Sequence, residues 1–143
     1  MLRNGENPNL MTMWTVLGWP IFSVAIPIWL DKKIDLPYLV KYDTSIDAAP
    51  LCNLALQLKE RAFSYTWGYS SKYYVNINAI VNADQTGMLQ VLQPFENQIF
   101  EKPHQLLKQW RSTGVKTTEM QNFYHWIDKE IPAFYKLNFQ ITY

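Results

Sequence analysis

The sequence predicts an α+β fold: an antiparallel sheet with helices packed on one face. Three observations carry this. Residues 12–30 are apolar and rich in β-branched and aromatic side chains, broken once at Gly18-Trp19-Pro20; this reads as two strands and a short connection, a hairpin. Residues 47–63, 88–110 and 117–131 repeat apolar residues at helical spacing. Residues 137–143 alternate Leu137, Phe139, Ile141 and Tyr143 with Asn138, Gln140 and Thr142, the period of two that suits a final strand.

In chain order, residues 1–10 are dense in turn formers, with Asn4-Gly5 and Asn7-Pro8 as the strongest signals. A domain rarely opens on a turn with so little before it. The plain reading is a frayed terminus, and the sharper one is a strand that should precede the turn. Residues 11–17 alternate only in part, so the first strand is expected to be buried on both faces. Residues 23–30 form the second strand. Pro27 within it has no N–H to give, so its position should face an edge or a bulge. Residues 31–37 are a polar turn and 38–46 an irregular connection.

Asp47 is a candidate N-cap for the first helix, with Pro50 in its first turn, where a missing N–H costs nothing. Ala48, Leu51, Ala55, Leu58 and Ala62 share one face, widened by Cys52, Leu54 and Leu56. The helix should stop near Phe63, and residues 65–74 read as loop. Residues 74–80 are either a short strand or the lead-in to a helix, and 82–87 are a turn. The next helix carries Phe95, Ile99, Leu106, Leu107 and Trp110, with Pro94 delaying its entry and Pro103 kinking or splitting it. Gly114 suits a left-handed stop. Thr117 or Thr118 should cap the last helix, with Glu119 in its first turn and Met120, Phe123, Tyr124, Ile127 and Ile131 as its stripe. Pro132 should weaken its final turn.

The 143 residues are expected to form a single domain, residues 1–143, long enough to bury about 70% of the unfolded surface. Charged residues are 17% and aromatics 15%, against a usual charged share of about 25%. Such a composition serves a large core or a surface that meets another protein. The net charge is +1 and the densest basic feature is Lys32-Lys33, so no nucleic-acid partner is expected. The apolar run is broken by Gly18-Trp19-Pro20 and Pro27, so no membrane span is expected either. The single cysteine excludes an internal disulfide framework.

Catalytic, metal and cofactor motifs are not evident. Cys52 near a helix start could be an activated thiol, but it follows Leu51 on an apolar face with no histidine nearby, which favours a buried structural cysteine. His104 and His125 could exchange protons, but their amphipathic helical contexts favour packing, and no cysteine spacing suggests zinc. Asp43, Asp47, Glu60, Asp84, Glu96, Glu101, Glu119, Asp128 and Glu130 are spread out, with Glu96 and Glu101 expected on the solvated side of a helix. Gly18, Gly68 and Gly87 are isolated, so no phosphate-cradling loop is present, and there is no nucleophile elbow. Trp14, Trp19, Trp29, Trp67, Tyr69, Tyr73 and Tyr74 could line a pocket for an aromatic or acyl ligand, though core and interface are the favoured places for them.

The segments Gly5-Glu6-Asn7-Pro8, Thr12-Met13-Trp14-Thr15-Val16-Leu17-Gly18-Trp19-Pro20 and Ser23-Val24-Ala25-Ile26-Pro27-Ile28-Trp29 resemble a late region of the acyl-CoA:6-aminopenicillanic acid acyltransferase-like family. These are N-terminal nucleophile hydrolases related to penicillin V acylase and bile salt hydrolase. Residues 50–59 look like the helix after that hairpin, and residues 96–110 like the C-terminal helix. The resemblance implies part of a four-layer αββα sandwich and an amide hydrolase or acyltransferase whose nucleophile is a cysteine exposed by self-cleavage. This sequence begins with Met1, and Cys52 matches the helix rather than the nucleophile. No catalytic residue carries over. The chain then looks like the C-terminal portion of such an enzyme, inactive alone, with an N-terminal companion chain as its partner. The alternative is a non-catalytic binding or assembly module, a homo-oligomer held by its aromatic surface.

Overall fold

A computed structural model of the chain describes residues 4–63 and 75–143. Among them is a two-stranded antiparallel sheet accompanied by four helices, a mixed α+β arrangement. Strand β1, Thr12–Thr15, pairs with β2, Ile26–Trp29, in the register Thr12↔Trp29, Met13↔Ile28, Trp14↔Pro27 and Thr15↔Ile26.

The hairpin is present, but its strands are shorter than expected and residues 16–25 connect them. Gly18 turns the chain at φ +81°, and its Cα lies so close to α1 (Pro50–Ala62) that an added Cβ would sit 2.9 Å from Ala55 Cβ. Pro20–Phe22 then form a 3-10 turn. The following backbone leaves the ladder for the helices: Tyr135 Oη donates to the Phe22 carbonyl at 2.6 Å, and Ala25 N–H donates to Glu96 Oε1 at 2.8 Å. Groups already paired this way have no need of a strand partner.

The ladder's alternation follows from Trp29 and Pro27. The Trp29 N–H points away from β1 and donates to Tyr124 Oη at 2.8 Å. Thr12↔Trp29 is therefore a non-hydrogen-bonded pair, and so is Trp14↔Pro27 two residues on. Pro27 occupies a position that asks for no N–H, as its sequence context implies. Trp29 anchors one face of the hairpin. It stacks on Tyr124 at 5.6 Å and meets Trp110 and Phe123 edge-on at 5.3 and 5.5 Å. All of β2 is buried, on both of its faces, so the sheet is not simply covered on one side. β1 is the exposed strand, partly open at each position.

Tyr38–Val40 form another 3-10 turn, inside the connection read as irregular. Helix α1 buries Leu51, Leu54, Ala55, Leu58 and Ala62, whereas Leu56 is exposed. Its cap position is Ala49, not Asp47. Asp47 is left-handed at φ 53° and its carboxylate accepts from the Tyr42 hydroxyl, while Asp43 and Ala48 form an isolated bridge that sets the entry. The open choice for residues 74–80 resolves as helix α2, Ile77–Ile80, capped by Asn76 through Ala79 N–H at 3.2 Å. Val75 bridges Phe63 just before it. The loop expected at 65–74 lies outside the described residues.

Helix α3, Met88–Thr113, runs through both Pro94 and Pro103 without dividing, and Gly114 ends it at φ 84°. Its start is built by Gln90, whose side-chain oxygen accepts from Gly87 N–H and Asn82 N–H at 3.1 and 3.0 Å. Helix α4, Thr117–Phe139, starts after Lys116, which takes the cap position expected for a threonine. It keeps Pro132 inside and buries Met120, Phe123, Tyr124, Ile127, Ile131, Tyr135 and Phe139. The final strand expected at 137–143 is absent: residues 137–139 are the last turn of α4, and Gln140 then breaks left-handed at φ 53°. The alternation there was outweighed by Tyr135 and Phe139, which pack at 5.7 Å one helical turn apart.

Candidate functional site

Chemistry-bearing side chains are dispersed over the fold. Cys52 is half-buried on α1, His104 is exposed on α3, and His125 is exposed on α4 beside Gln121 at 3.4 Å. No hydrogen bond joins any two of the three among the described residues, and no group of His, Cys, Asp or Glu there could hold a metal ion.

Many carboxylates act as structural acceptors instead. Asp128 on α4 accepts from Tyr38 and Leu39 N–H at 2.9 and 3.1 Å, closing the start of the Tyr38–Val40 turn. Glu96, expected on the solvated side, is half-buried and holds the hairpin connection through Ala25. Glu119 accepts from the Trp110 indole at 2.5 Å and from Lys116 at 3.3 Å. The indole bond, aided by Lys116, holds its carboxyl below the usual range. None of these long-range bonds has a local sequence signature. Glu101 does lie exposed.

The aromatic set divides. Trp29 is core. Trp19, on the hairpin connection, packs on Phe63 at 5.2 Å with Lys59 Nζ 5.3 Å from its ring centre. Trp14 rests on Phe100 at 4.5 Å and meets His104 edge-on at 6.0 Å. Trp67, Tyr69, Tyr73 and Tyr74 lie outside the described residues.

Trp14 belongs to a surface feature where β1 runs beside α3. A cleft of about 590 Å³ lies there, lined by Leu10, Met11, Thr12, Trp14, His104, Leu107 and Arg111. Arg111 is paired with Glu6 at 3.1 Å. A smaller hollow of about 370 Å³ lies between α3 and α4, where Lys102 Nζ sits 4.4 Å from the Trp126 ring centre.

The cleft borders an open sheet edge. Thr12 and Trp14 belong to non-hydrogen-bonded pairs, so their N–H and C=O groups point away from β2. Among the described residues no hydrogen bond engages these groups, and the sheet ends at β1. The Thr12 hydroxyl, by contrast, is used internally, accepting from the Trp29 indole at 2.9 Å. Met11 and Met13 beside this edge are 49% and 53% exposed. Such an arrangement suits main-chain docking of another strand. The sequence carries one signal for it, Pro27, which fixes the parity of the ladder and so decides which β1 residues face outward.

No helix among the described residues is long and apolar enough to cross a membrane. No protein-family model, curated protein or solved structure matches the chain.

Proposed function

We propose that this chain is a non-catalytic assembly module that self-associates through the apolar, aromatic surface of its hairpin. The observation that carries this reading is the open edge of β1. Among the described residues its outward N–H and C=O groups have no hydrogen-bond partner, and exposed methionines flank them. Natural sheet edges are guarded by charges, prolines, bulges or covering elements. β1 has none of the first three, and no charged residue occurs between Glu6 and Asp31. Light scattering over a concentration series tests this directly. Oligomers that grow in with concentration are expected, and a strict monomer at the highest concentration refutes the reading.

A second reading is the C-terminal portion of an amide hydrolase or acyltransferase of the N-terminal nucleophile type, inactive alone. It rests on the resemblance of residues 5–29 and on the same open edge, which a larger sheet could continue from. The resemblance places no nucleophile in this chain, so linear acyl amides should release no amine when mixed with it. Clear turnover by the isolated chain would refute both readings.

A further inference from the structure

We propose that two copies of this chain pair antiparallel along β1, about a two-fold axis through Met13, making one sheet in the order β2–β1–β1–β2. This rests on the assembly reading and adds to it the surface, the partner and the register.

The register follows from the ladder. Of β1, only Thr12 and Trp14 present main-chain groups that no described residue engages, because Met13 and Thr15 spend theirs on Ile28 and Ile26. A two-fold antiparallel pairing must match outward residues with outward residues. Centring on Thr12 would set Trp14 against Leu10, which lies in the 3-10 turn Pro8–Leu10. Centring on Trp14 would set Thr12 against Val16, beyond the strand. Centring on Met13 sets Thr12 against Trp14 of the second copy, and Trp14 against its Thr12. Each pair then exchanges both N–H···O=C bonds, and every outward group of both strands is used.

Side chains agree with this placement. Met13 meets Met13 at the axis in a non-hydrogen-bonded pair, where side chains approach closely. Met11 of each copy falls opposite Thr15 of the other. Met13 and Met11 are about half exposed in the single chain, so pairing would cover apolar surface now in water. No like charges are brought together within the strands, since residues 7–30 carry none. Beside the edge, Arg111 is already paired with Glu6.

The register makes Met13 the position to test. Met13→Lys and Met13→Glu each place like charges face to face at the axis, while Met13 is exposed enough that the single chain should keep its fold, checked by circular dichroism. Sedimentation equilibrium should give a dimer for the unaltered protein and at least about a tenfold rise in dimer dissociation constant for each variant alone. Mixing the two variants in equal amounts should restore the dimer. In a Cys52→Ser background, Met13→Cys should cross-link two copies on mild oxidation, because Cα atoms of such a pair lie about 4.5 Å apart. A dimer indifferent to both charged variants, or a Met13→Cys dimer that fails to cross-link, overturns this pairing and leaves the assembly reading standing on another surface. A monomer at every concentration overturns both and leaves the edge of β1 to a different chain.

Discussion

Removing one hydroxyl, by Tyr124→Phe, should expose how the inner edge of the hairpin is held. Pairing with β1 leaves the Trp29 N–H pointing outward from β2, and Tyr124 Oη accepts it at 2.8 Å in a buried setting. Pro27 has no N–H, so this hydroxyl serves the outward donor that β2 carries on that side. Phenylalanine keeps the ring that stacks on Trp29 at 5.6 Å, so packing is preserved and the hydrogen bond alone is lost. A buried donor left without a partner costs about 1–3 kcal/mol. A loss near the middle of that range lowers the melting temperature by about 4–8 °C at this chain length. Urea unfolding followed by tryptophan fluorescence is the assay, and the midpoint should fall with an unchanged slope. A loss below about 0.5 kcal/mol, the scatter of ordinary surface changes, would refute this role for Tyr124.

The same tyrosine predicts an alkaline response. Burial pushes its hydroxyl from 10.0 up to about 12, against the opposing effect of the Trp29 N–H. A group whose folded value is raised gives stability that is complete below its unfolded value and lost as pH climbs to the folded one. Stability should therefore fall between pH 10 and about 12, and less steeply in Tyr124→Phe; urea midpoints across that window check it. Tyr135 is raised as well, by burial and then by the charge of Glu96, so part of the slope should persist in that variant. Gly87→Ala should cost about 1–3 kcal/mol in thermal unfolding, an overpacking loss. Its Cβ would lie 2.4 Å from the Ile80 carbonyl oxygen, and φ at Gly87 is −63°, so the contact rather than the backbone angle is at fault. Asp128→Ala should cost about 0.5–2 kcal/mol, as loss of a cap does, and should speed hydrogen exchange at the Tyr38 and Leu39 amides it accepts from.

What the sequence made legible was whatever a periodic stripe can specify. The apolar faces of α1, α3 and α4 were readable because Leu51, Phe95 or Met120 recur with their neighbours at helical spacing, and burial follows that spacing. Boundaries and caps were not readable where a distant partner decided them. Asp47 had the right chemistry for a cap, yet Tyr42 claimed its carboxylate. Residues 137–143 alternated as a strand does, but Phe134 was already stacked on Phe95 at 4.0 Å, committing that end of the chain to a helix. Residues 16–25 could not be seen as a long connection, because its hydrogen bonds go to Glu96 and Tyr135, far along the chain.

The candidate site was legible only in part, and for a related reason. Trp14 and Trp29 look alike in sequence, two tryptophans in two apolar strands. They differ in what lies beyond each strand. Outside β2 stands Tyr124, whose hydroxyl closes that side of the ladder. Outside β1, among the described residues, lies the cleft toward α3, whose lining of Leu10, Met11, His104, Leu107 and Arg111 makes no bond to the outward groups of Thr12 and Trp14. A hairpin with one side closed by a side chain and the other side open is asymmetric in a way that no composition or period encodes. Under the proposed pairing that asymmetry gives growth its direction: among the described residues the open side of the ladder is beside β1, and the parity at Pro27 makes Thr12 and Trp14 the residues a new strand would meet.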